Sequence, residues 1–97
     1  MINVTITESG ILMEGHAGYH ENGQDLVCAA VSALTCNLIN SLKNLTNIKV
    51  RAETKEGFTK IHWEKITAAG KLLVDSWFLG LTAINQEYEC ISFTKSP

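Results

Sequence analysis

The stretch from Gly15 to Leu34, GHAGYHENGQDLVCAAVSAL, places His16 and Cys28 on either side of a short glycine-containing segment. Those two residue types suffice for acyl transfer. A thiolate attacks the acyl carbon, and an imidazole takes the thiol proton and later returns it to the leaving amine. The same stretch reads as a strand ending at His16, a polar loop from Ala17 to Gln24 with Gly18 and Gly23 near its ends, and a helix beginning at Asp25. Asp25 is a good N-cap, and its carboxylate would then accept a hydrogen bond from the backbone N–H of Cys28 at the third helical position. A helix start carries free N–H groups and partial positive charge, a setting that favours a thiolate and offers donors to an oxyanion.

Plainer readings stand beside this one. Cys28 reads equally as a small buried hydrophobe, and His16 as a strand-end histidine bonded to a carbonyl. His20 is a rival base, although its mid-loop place suits a solvated or substrate-facing role. His16, His20 and Cys28 together would make a metal site of three ligands, one short of a closed zinc tetrahedron, so no metal and no cofactor is expected. Ser32 lies one turn after Cys28 on the same helix face and can bond into the site or back to a carbonyl one turn earlier. No third residue that would orient His16 is evident in the sequence: Glu14 points along a neighbouring strand position and Asp25 is taken up by capping, so the orienting partner stays open. His62 reads as a surface strand residue.

The elements that must hold this pair follow from periodicity. Ile2, Val4 and Ile6 alternate with polar residues as a half-buried strand, Ser9-Gly10 turns the chain, and Ile11 to His16 returns as the second arm of a hairpin. In the helix from about Asp25 to Asn44, Val27, Val31, Leu34, Leu38 and Leu42 share one stripe. Cys28 stands about a quarter turn from its centre with Ser32, Thr35 and Ile39. Cys36 falls on another flank, and the small Ala29, Ala30 and Ala33 allow close packing on a sheet. Ile48, Val50 and Ala52 predict a third half-buried strand, Lys55-Glu56-Gly57 a turn, and Phe58 to Glu64 a fourth strand with Thr59, Ile61 and Trp63 on one face.

A second helix is expected from about Thr67 to Gln86, with Gly70, Leu73, Val74, Trp77, Leu81 and Ile84 on its core stripe. Leu72, Leu79 and Ala83 widen that stripe beyond what one sheet covers. This predicts a twofold interface in a homodimer, or else a loop laid over the flank. Tyr88 to Thr94 closes the chain as a last strand. The order ββαββαβ makes the fold class α+β, a mixed or antiparallel sheet with two helices packed on it.

With 97 residues, 45% hydrophobic and 19% charged, the chain is expected to form a single domain over 1–97. A net charge of −2 with dispersed basic residues argues against direct nucleic-acid binding. The N-terminus lacks the pattern of a signal peptide, and the longest apolar-rich stretch, Leu72 to Leu81, is too short to cross a bilayer, so a cytoplasmic protein without membrane contact is expected. Three cysteines without CxxC spacing suit reduced thiols.

The run of GHAG, the Gly-x-Asp of Gly23 to Asp25, and VCAAVSAL resembles the signature of the ribosomal-processing cysteine proteases, the Prp family. The rest of the chain agrees in length, element order and the Gln86 to Tyr88 approach to the last strand. The resemblance implies a homodimeric cysteine endopeptidase that removes a short N-terminal extension from the precursor of ribosomal large-subunit protein twenty-seven, cutting after a pair of phenylalanines. Carried over by position, it makes His16 and Cys28 the catalytic dyad and Asp25 and Ser32 supporting residues. It also implies that the loop with Gly18, Tyr19, His20 and Gly23 orders around the substrate. The alternative from another class is a non-catalytic ribosome-associated module that holds a peptide in the same groove.

Overall fold

The computed structural model describes residues 1–16 and 21–95, with side chains throughout except at 21–25. Its elements run β1 (Ile2–Thr7), β2 (Gly10–Gly15), α1 (Glu21–Leu45), β3 (Val50–Lys55), β4 (Phe58–Trp63), α2 (Ala68–Tyr88) and β5 (Ile91–Lys95). The expected ββαββαβ order holds, and the sheet is mixed. Strands lie in the order β3-β4-β2-β1-β5, antiparallel throughout except that β5 runs parallel to β1.

Topology explains why both helices share a face. Helix α1 connects β2 to β3, which run parallel with β4 between them, and α2 connects β4 to β5, which also run parallel. The two crossovers travel in opposite directions along the sheet from oppositely directed strands. The common right hand of such connections therefore puts both helices on one side. The register assembles that side from Ile91, Ile2, Phe93, Val4, Met13, Thr59, Ile11, Ile61 and Trp63, of which all but Phe93 and Thr59 are buried. The opposite face carries Asn3, Glu14, Lys60, His62 and Ser92, all exposed, as expected for His62.

The stripe of α1 packs as its periodicity requires. Val27, Val31, Leu38 and Leu42 are buried, Leu34 is half-buried, and Cys28 sits half-buried at the margin. The segment Leu26–Leu45, at 20 residues, is long and apolar enough to cross a bilayer by length and composition alone, more so than Leu72 to Leu81. Here its apolar stripe is spent on the sheet. Ala29 and Ala33 are exposed, so these small residues do not bring the helix to the sheet as expected.

Thr35 is the buried polar hinge of the core. Its hydroxyl donates to the Val31 carbonyl at 2.7 Å and accepts from Trp77 Nε1 at 3.1 Å, with the Met13 sulfur 3.7 Å away. One side chain thus links α1, α2 and β2. The Thr67 hydroxyl caps α2 by accepting from the Gly70 N–H at 3.2 Å. At the other end Glu89 adopts a left-handed conformation, its N–H bonds to the Asn85 carbonyl at 2.8 Å, and Asn85 Oδ1 accepts from the Ile91 N–H. These bonds carry α2 to Tyr88 and delay the last strand to Ile91.

Two expectations about the sheet and the second helix resolve differently. Strand β3 begins at Val50 and is an edge, with every residue after Val50 exposed, so it is not half-buried; Ile48 is buried but precedes it. On α2, Leu72 and Leu79 are 70% and 68% exposed, so no described segment covers that flank.

Candidate active site

The site forms at one end of the sheet, where β2 finishes, the β3–β4 hairpin turns and α1 passes overhead. Gly15, the last residue of β2, has φ +104°, and a side chain there would run into the Met1 carbonyl oxygen. A glycine is therefore needed for β2 to end tightly against β1. The next residue is His16. Its carbonyl accepts from the Met1 nitrogen at 2.6 Å, and the Gly15 N–H donates to the Gly57 carbonyl at 2.9 Å. The backbone on which the imidazole is mounted is thus tied on one side to β1 and on the other to the hairpin, while the ring itself lies exposed.

Cys28 reaches the same place from α1. His16, Cys28 and Ser32 all line one cavity of about 340 Å³, within the range of small-molecule and peptide clefts. Ile2, Met13 and Val31 give it an apolar wall, and Glu14, Lys55, Glu56 and Phe58 line it from the end of β2 and the hairpin. The cavity therefore offers a thiol and an imidazole beside a surface suited to an apolar side chain.

The start of α1 corrects the expected local geometry. The helix begins at Glu21, so Asp25 lies inside it and is not its N-cap, and Cys28 is not at the third helical position. Glu21 to Gln24, read as loop, are helical. Glu21 and Gln24 are good helix formers, an acidic residue suits the first turn, and Gly23 costs only about 1 kcal/mol there. Cys28 consequently stands two turns in, where the field of the helix end has largely decayed and the backbone N–H groups are already bonded within the helix.

Of the other residues singled out from sequence, Gly23 is in the first turn of α1, and the side chain of Asp25 lies outside the described residues, as do Gly18, Tyr19 and His20. The three-ligand metal alternative includes His20 and so lies outside them too. Cys36 is exposed on α1, and all three cysteines are free. Cys90 is buried just before β5. Burial pushes its thiol above its ordinary value, more than the nearby Met1 amino group pulls it down, and Cys28 adds to the upward push.

Sequence reasoning missed the whole hairpin contribution, Thr54 to Thr59. One signal was available. Phe58 is a lone aromatic on the strand face that otherwise carries Lys60, His62 and Glu64, and an apolar residue on a solvated face marks a local contact or a binding surface.

Comparison with known proteins finds relatives over nearly the whole chain. The family model of the cysteine protease Prp matches residues 1–91. The ribosomal processing cysteine protease Prp of Bacillus subtilis is 30% identical over 102 residues, spanning 92% of this chain and 91% of the relative. A crystal structure of the essential ribosomal processing protease Prp from S. aureus with a covalently linked product peptide superposes with a TM-score of 0.87 at 27% identity, covering 99% of this chain and 100% of that one. The S. aureus enzyme with a substrate peptide superposes at 0.85 and 26% identity, with the same coverage.

Proposed function

The chain belongs to the cysteine protease Prp family and is a cysteine protease of the ribosomal-processing kind, and from that premise we propose that Cys28 is its nucleophile and His16 its general base and acid. The observation that carries the assignment is that His16 and Cys28, delivered by separate elements, line one cavity with an apolar wall. The non-catalytic peptide-binding alternative falls away with the family.

The chemistry is a two-step acyl transfer. His16 takes the Cys28 proton as Sγ bonds to the scissile carbonyl carbon. The tetrahedral oxyanion then collapses, the C–N bond breaks, and the imidazolium gives its proton to the departing amine. In the second step His16 deprotonates a water that attacks the thioester. Collapse of that intermediate releases the carboxylate product and restores the thiol. Ser32, which lines the cavity one turn beyond Cys28, bonds a substrate group or the attacking water in this reading. Asp25 supports the pair from within α1 and not as its cap.

The substrate is the precursor of ribosomal large-subunit protein twenty-seven, cut after two phenylalanines. Ile2, Met13 and Val31 form an apolar wall that favours such side chains. Free thiols suit work in the reducing cytoplasm. The enzyme works as a homodimer through α2, where Leu72 and Leu79 stand exposed on one flank.

Incubation with a peptide spanning such an extension, followed by mass determination of the products, tests the reading. Wild type should yield two fragments divided after the phenylalanine pair. Cys28→Ala should lower kcat by about 10⁴-fold or more and His16→Ala by about 10²- to 10⁴-fold. Either variant cleaving at the wild-type rate would sink the dyad. Sedimentation should give a dimer for wild type and a monomer for Leu72→Asp/Leu79→Asp; a wild-type monomer at working concentration removes the interface.

A further inference from the structure

The strongest unassigned contact in the site joins His16 to the tip of the β3–β4 hairpin. The hairpin is tight: Lys55 pairs with Phe58, leaving Glu56 and Gly57 as its two central residues. Gly57 has φ +72°, the left-handed conformation that a turn of this kind requires at its second central position. A β-carbon built on Gly57 would stand 2.8 Å from His16 Nε2 and 3.1 Å from Cε1, closer than such contacts allow. The tip of the imidazole therefore occupies the space that any other residue's side chain would fill. The height of the turn against the ring is fixed as well, because the Gly57 carbonyl accepts from the N–H of Gly15, the residue just before His16.

We propose that Gly57 is a positioning residue for His16, a side-chain-free floor at the hairpin tip that holds the imidazole at the mouth of the Cys28 cavity. The proposal rests on the dyad reading and extends it. It also supplies an answer to what orients the histidine: backbone contact at a turn brought in from a distant part of the chain, in place of a carboxylate partner. The ring is exposed and is the far end of a side chain with two free torsions, so the fold can accommodate a new β-carbon by letting the ring swing away. The loss then appears in proton transfer more than in folding. A displacement of about 1 Å at a catalytic group can cost about 100-fold in rate.

Gly57→Ala and Gly57→Asn separate this from simple backbone strain. Asparagine tolerates the left-handed region far better than alanine does, yet both add a β-carbon. With the ribosomal peptide as substrate, both variants should lose about 10- to 100-fold in kcat with KM changed less than about twofold, and the pH profile of kcat/KM should shift on the limb set by the histidine. Two results overturn the proposal: wild-type kcat and pH profile in both folded variants, or recovery of kcat in Gly57→Asn alone, which would assign the effect to strain. Should neither variant fold, the wild-type protein decides. A nuclear Overhauser effect between the Gly57 α-protons and His16 Hε1 is expected, and its absence overturns the contact. His16→Ala in the same assay keeps the two readings apart. Full activity there removes the dyad itself, whereas an inactive His16→Ala beside fully active Gly57 variants removes only the role of Gly57.

Discussion

Cys28 and Cys90 lie at the same end of the sheet, close enough for the charge of one to bear on the other, and they live in different chemical worlds. Cys28 stands at the margin of the α1 stripe, half-buried, with its cavity open toward His16 and Ser32. Cys90 is 2% exposed, its carbonyl accepts from the Ile2 N–H at 2.8 Å, and its thiol is held protonated by burial. Cys28 stands at the edge of a helix stripe and Cys90 lies in the core just before β5, so the two thiols differ in access. Residue type nominates candidate thiols, and access separates them.

The sharpest way to break this comparison is to ask which thiol a small alkylating agent finds. Under native conditions iodoacetamide should modify Cys28 at least about 10³-fold faster than Cys90, because Cys90 becomes accessible only when the end of the sheet opens, in a small fraction of molecules. Peptide mass mapping after timed quenching reads the ratio. Comparable rates at the two positions would show that the core at β5 is open, and would undo the contrast. Cys36, exposed on α1, serves as the reference for an accessible thiol.

A smaller effect tests the platform beneath Cys28. Thr35 is two turns beyond Cys28 on α1 and joins Val31, a lining residue of the cavity, to Trp77 of α2. Thr35→Val keeps the shape and leaves the Trp77 indole N–H without this acceptor, which should cost about 1–3 kcal/mol in chemical denaturation. Because the change lies in the core and not in the cavity, the peptide-cleavage kcat should fall less than about threefold. A stability loss below about 0.5 kcal/mol would mean that the indole finds another acceptor, since an unmet buried donor costs more.

How much of this was legible in the sequence follows from range. The stripe Val27, Val31, Leu38 and Leu42 and the marginal place of Cys28 come from a period of 3.6, which is a local property, and both hold. The start of α1 misled because Asp25 is a better cap by type than anything just before it. Once a helix has nucleated, however, each added residue gains a hydrogen bond, and Glu21 to Gln24 join it. The pairing of β5 with β1 and the approach of Gly57 to His16 depend on crossover topology, and no local spacing encodes them. Phe58 was a signal left unread, an aromatic on a solvated strand face that turns out to line the cavity.

The smallest expected effect lies with Cys90. Its thiol is raised by burial in the folded chain, while in the unfolded chain it ionises near pH 8.5. Below that pH both states hold the proton, and the contribution of the buried thiol to stability is fully present. As pH rises past it, the unfolded chain sheds the proton and the folded chain keeps it, so the unfolded state is favoured and stability declines until the folded thiol itself ionises. Cys90→Ala abolishes this term at every pH. In reducing denaturant titrations, the stability advantage of wild type over Cys90→Ala should therefore be constant from pH 6.5 to about 8 and shrink between about 8.5 and 10. A constant advantage across the whole range would mean that Cys90 ionises alike in both states, and that its burial does not set its proton affinity as the contrast with Cys28 requires.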